Sequence, residues 1–87
     1  MSDDQFKHKI RSFITNRFLV GRPEGFLKDS DAFLERGILD STGILELVGY
    51  LEEEFGIAVE DVELVPDNLG SVDNVVKYLA RKVRIGV

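Results

Sequence analysis

No cysteine occurs among the 87 residues, and only one histidine, His8. The first absence excludes disulfides, thiolate metal sites and a cysteine nucleophile. A lone histidine without cysteine is a weak candidate for a transition-metal ligand, and His8 reads as a solvated surface residue on the charged side of a helix. Apolar runs are only a few residues long, too short to span a bilayer. The opening "MSDDQFKHKI" is polar and lacks the apolar stretch of a signal peptide, so a cytoplasmic protein is expected. What remains is 44% hydrophobic and 31% charged, the balance of a folded domain, and the length suits a single domain over 1–87.

The formal net charge of -5 is unevenly spread. Residues 1–22 hold five basic and two acidic side chains, a balance of +3; the rest hold six basic and fourteen acidic, a balance of -8. The acidic part should repel nucleic acid and anionic membranes and attract basic protein surfaces, although a merely solvated acidic surface would look the same.

Periodicity predicts helices and no strand. From Asp3 to about Leu19, Phe6, Ile10, Phe13, Ile14 and Phe18 recur at helical spacing, with Lys7, Lys9, Arg11 and Arg17 mostly off the stripe. Ser2 or Asp3 can cap this helix, and Gly21 and Pro23 stop it. Gly21 to Leu39 reads as a long loop with one helical turn near Asp31–Glu35. Its Phe26, Leu27, Phe33, Leu34, Ile38 and Leu39 should fold onto the core, since a solvated linker needs no such residues. A second helix follows from about Ser41 to Phe55, where Ile44, Leu47, Val48, Leu51 and Phe55 form one face and Gly56 a C-cap. A short turn at Pro66–Leu69 precedes a last helix capped by Ser71, with the stripe Val72, Val75, Val76, Leu79 and Val83 and with Arg81, Lys82 and Arg84 toward its end.

The informative stretch is "GILDSTGILELVGYLEEEFGI", Gly37 to Ile57. Ser41 as an enzyme nucleophile would need a base within reach, and no glycine-rich elbow surrounds it, so no catalytic residue is assigned. Asp29 and Asp31 have the spacing of an EF-hand start, but Phe33 falls at the third ligand position and the terminal Glu is missing, so no metal site is assigned. Asp40 or Ser41 as a plain helix cap is the commonest meaning of such a pair.

The combination Leu39-Asp40-Ser41, then Glu46-Leu47, then Leu51 to Ile57 resembles the attachment segment of the acyl carrier and peptidyl carrier proteins. The preceding "DAFLERGILD" and the following "VPDNLGSVDNVVKYLARK" resemble that family's loop and last helices. The resemblance implies an all-α four-helix bundle with a long loop after the first helix. It implies a stand-alone, non-catalytic carrier modified with 4'-phosphopantetheine from coenzyme A on Ser41, beside Asp40, and carrying acyl or aminoacyl groups as thioesters. The thiol then belongs to the cofactor, which suits a cysteine-free chain. The implied partners are a phosphopantetheinyl transferase, an acyl- or aminoacyl-activating ligase and downstream acyl-processing enzymes, met by a monomer through Glu46, Glu52, Glu53 and Asp61, with Leu45 and Tyr50 as apolar docking points. No nucleic acid or membrane insertion is implied. Thr42 and Gly43 depart from the apolar and acidic residues common after the serine, and "LDS-x-G" is closer to D-alanyl and stand-alone aminoacyl carriers. Phe13, Phe33 and Phe55 are expected to fill the interior, which favours short or polar cargo. The competing expectation is a small acidic helical adaptor that binds proteins without being modified.

Overall fold

The computed structural model describes residues 2–23 and 25–85, and these form helices, turns and loops only. The elements are α1 (Asp3–Phe18), α2 (Ser41–Phe55), a 3-10 turn (Asp61–Glu63), α3 (Pro66–Leu69) and α4 (Val72–Ile85).

Helix α1 starts with a reciprocal cap. The Ser2 hydroxyl accepts from the Gln5 amide, and the Gln5 side chain accepts from the Ser2 amide at 2.8 Å. Two of the four orphan N–H groups at the helix start are satisfied in this way. Phe6, Ile10 and Ile14 are buried, while Phe13 and Phe18 pack at the core's edge. Helix α4 buries Val72, Val75, Val76 and Leu79, and also Tyr78. Ser71 caps it, its hydroxyl accepting from the Asn74 amide at 3.2 Å. The side chain of Arg84 lies outside the described residues.

The long loop folds onto the core through Leu27, Phe33, Ile38 and Leu39, as expected; Leu34 does not, standing 56% exposed. Its helical turn is a single one. Arg36 N–H donates to the Ala32 carbonyl, and the turn closes with Gly37 N–H to the Leu34 carbonyl and Ile38 N–H to the Phe33 carbonyl. Those last two bonds, with Gly37 at φ 68°, make a left-handed helix stop, and the buried pair Phe33 and Ile38 supplies its apolar contact. The loop is also tied to α1: Asp29 meets Arg11 at 2.7 Å and Lys7 at 3.3 Å, and Arg11 donates to the Leu27 carbonyl at 2.8 Å. The core thus joins all four helices and the loop in one apolar cluster. Phe33 lies at its centre, whereas Phe13 and Phe55 are only partly buried.

Candidate functional site

The Gly37 stop turns the chain so that Ile38 and Leu39 enter the core and Asp40 and Ser41 emerge from it. Asp40 is the N-cap of α2, with extended backbone, and its carboxylate accepts from the Gly43 amide at 2.7 Å. The capping role falls to Asp40, so Ser41, the first residue of the helix, is free of it. Ser41 is exposed, and among the described residues its hydroxyl has no hydrogen-bond partner. Gly43 is buried where a Cβ would lie 3.3 Å from the Leu39 side chain. Its missing side chain therefore allows the close approach of Leu39 and the cap.

A phosphodiester on Ser41 fits this place. Ser41 is exposed at the start of α2, and the backbone N–H groups and dipole at a helix start favour an anion by about 0.3–1 kcal/mol. A phosphopantetheine group attached here supplies the thiol that this chain lacks.

The other residues expected at the site are not equivalent. Leu45, one turn along the same face as Ser41, is 61% exposed. Glu53 and Asp61 are exposed. Glu46 is half-buried and pairs with Arg17 of α1 at 2.7 Å. Glu52 accepts from the Val59 amide at 3.0 Å and so secures the chain after α2. Tyr50 stacks on Phe13 with centroids 4.3 Å apart and donates its hydroxyl to the Lys9 carbonyl at 3.3 Å. Burial, then the Glu54 charge, raises the Tyr50 pKa, so the phenol stays protonated and remains a donor. Leu45, Glu53 and Asp61 face solvent; Glu46 and Tyr50 join α2 to α1, and Glu52, itself exposed, ties down the chain after α2.

Sequence reasoning missed the cations that answer these acids. Arg17 to Glu46 and Lys9 to Glu54, the latter at 3.0 Å, bind α1 to α2. The signal was available, since the net-positive residues 1–22 precede an acid-rich helix. Among the described residues no cluster of three or more potential metal ligands occurs, and no helix is long and apolar enough to cross a membrane.

Comparison with known proteins bears on this geometry. The family model described as "Phosphopantetheine attachment site" matches residues 19–79, a span that contains Asp40 and Ser41. The acyl carrier protein of Petrotoga mobilis is 30% identical over 90 residues, covering 98% of this chain and 95% of that one. The probable acyl carrier protein PigG of a Serratia species is 30% identical over 73 residues, covering 84% and 83%. In a solved structure titled "Crystal structure of FAD-dependent dehydrogenase", one chain superposes with a TM-score of 0.70 at 26% identity, covering 80% of this chain and 97% of that chain. An exposed serine at the start of α2, a four-helix frame and these matches across most of the length lead to one family: the chain belongs to the acyl carrier proteins, non-catalytic carriers that bear covalently attached 4'-phosphopantetheine.

Proposed function

We propose that Ser41 is the attachment residue and that the chain carries acyl or aminoacyl groups as thioesters from an activating ligase to downstream enzymes in the cytoplasm. The observation that carries this reading is the exposed hydroxyl of Ser41, relieved of capping by Asp40 and reachable by another protein's active site. Ser41 needs no base of its own, because the transferase supplies the chemistry. Docking by Leu45, Glu53 and Asp61 is supported by their exposure, Leu45 and Glu53 on α2 and Asp61 on the turn after it. A shuttle must associate fast and leave, which charge complementarity favours through the on-rate.

The "LDS-x-G" pattern supports short or polar cargo such as an aminoacyl group. The likeness to a chain in an FAD-dependent dehydrogenase structure makes a flavin-dependent dehydrogenase a downstream partner to test.

The test is intact mass after incubation with coenzyme A, magnesium and a broad-specificity phosphopantetheinyl transferase. The wild-type chain gains one phosphopantetheinyl group and Ser41→Ala gains none. An unmodified wild type beside a modified control carrier overturns the assignment, and a partner interaction indifferent to Ser41→Ala would return the chain to an adaptor.

A further inference from the structure

An open apolar cleft of about 240 Å³ lies between Leu34 of the loop, Ile44 of α2, and Leu64, Val65, Pro66 and Leu69. Ile44 stands one helical turn from Ser41, so the cleft opens beside the candidate attachment point. Five of its lining residues, Leu64, Val65, Pro66, Leu69 and Gly70, belong to the segment Asp61–Gly70, and that segment has almost no apolar anchorage. Leu69 is its only buried residue, while Val62 is 85% exposed and Leu64 and Val65 are exposed as well.

Polar bonds to α4 hold it instead. One carboxylate oxygen of Glu63 accepts from the Tyr78 hydroxyl at 3.0 Å, from the Lys82 ammonium at 3.0 Å and from the Glu60 amide at 2.9 Å. The Glu63 carbonyl accepts from the Asn68 amide group at 3.0 Å, and Arg81 donates to the Asn68 oxygen at 2.8 Å. Asn74 donates to the Pro66 carbonyl at 3.1 Å. At the far end, Phe33 N–H donates to the Gly70 carbonyl at 2.8 Å, beside the buried Leu69. The segment is therefore rooted at Leu69–Gly70 and tethered at Glu63.

We infer that Glu63, gripped by Tyr78 and Lys82, is a latch that holds the Asp61–Gly70 segment against α4 and so sets the width of the cleft beside Ser41. Released at Glu63, the segment keeps its root and swings its exposed half away from α4. The charged groups around the latch are Arg81 and Lys82 of α4, Glu60 and Asp61 of the turn, and Glu52 of α2, whose charge reaches Tyr78. The Glu60 amide and then Lys82 hold the Glu63 carboxyl below its ordinary range, consistent with a carboxylate kept ionised by its donors. The importance of the cleft's place beside Ser41 rests on the carrier reading, but the latch itself does not.

Hydrogen exchange on the unmodified chain tests it. Glu63→Gln keeps the shape and removes the charge; Tyr78→Phe keeps the packing and removes one donor. Each should speed exchange at the amides of Leu64, Val65 and Asn68, which bond within the half that swings, roughly tenfold, while Ile14 in α1 and Leu51 in α2 stay within about twofold. Wild-type rates at those three amides in both variants overturn the latch. So does an equal acceleration everywhere, which would mark the two residues as general supports of the fold. Neither result touches the assignment of Ser41, which is read by mass.

Discussion

Gly43 and Gly49 sit on the same helix, and a methyl group added to each meets different surroundings. At Gly49 nothing lies within 4 Å of a new Cβ, so Gly49→Ala should show the bare helix propensity, a gain of about 1 kcal/mol. In a domain of this size that corresponds to roughly 4–8 °C in Tm. At Gly43 the same methyl meets the Leu39 side chain at 3.3 Å and the capping carboxylate at 3.4 Å. Gly43→Ala should therefore raise Tm less than Gly49→Ala, and an equal rise would show that the cap is not crowded. The neighbouring pair separates in the opposite sense. Asp40→Ala removes the bond to the Gly43 amide and should cost about 1 kcal/mol. Ser41→Ala, at an exposed site that holds nothing, should stay within about 0.5 kcal/mol in urea unfolding. A large loss on Ser41→Ala would mean that the serine supports the helix and is not simply on offer to a partner.

Elements were legible where one physical signal dominated. The stripe Leu47 and Leu51 with Ile44, Val48 and Phe55 at its flanks, and the stripe Val72, Val75, Val76 and Leu79, repeat at helical spacing, and burial of such faces decides where a helix lies. Asp40, Ser41 and Gly56 mark the ends of α2 by residue type alone, and the exposed place of Ser41 followed from that ending. Tyr78 escaped notice because its hydroxyl makes it look like a surface residue, whereas its ring is buried and only the hydroxyl reaches Glu63. The 3-10 turn at Asp61–Glu63 could not be read from periodicity, because a three-residue element has none; carboxylate and backbone bonds across the chain make it. This turn is also where pH should act. The folded pKa of Glu63 is lowered, so its stabilising contribution is present above the unfolded carboxyl value and is lost as pH falls through the lower folded value. The stability gap between wild type and Glu63→Gln should thus be full at pH 7 and shrink steadily under acid. Tyr78, whose pKa is raised by burial and then by its bond to Glu63, stays a donor throughout that range. A gap that is constant from neutral pH to well below the carboxyl range would mean that the charge of Glu63 is not what holds the turn.

Across the whole molecule the net charge of -5 gives a poor account of what a partner meets. Lys9, Arg11 and Arg17 of α1, with Lys7, sit against Glu54, Asp29 and Glu46, so much of the charge is matched internally. Glu53 and Asp61 stay exposed and have no such cation beside them among the described residues, so they leave unmatched negative charge for a basic partner to meet. Exposed pairs contribute only about 0–1 kcal/mol each, so reversing these charges should not unfold the chain. It should instead slow encounter with a basic partner, because steering acts on association. Glu53→Lys and Asp61→Lys are each expected to lower kcat/KM for phosphopantetheinylation severalfold at low salt and to leave kcat nearly unchanged. The deficit should fade as salt is raised, since the Debye length falls from about 30 Å at 0.01 M to about 3 Å at 1 M. Glu54→Gln, which removes a carboxylate already paired with Lys9, should change the rate less than either reversal. A deficit of the same size at low and high salt would mean that these side chains act by direct contact within the complex, and the steering account of the acidic face would fail.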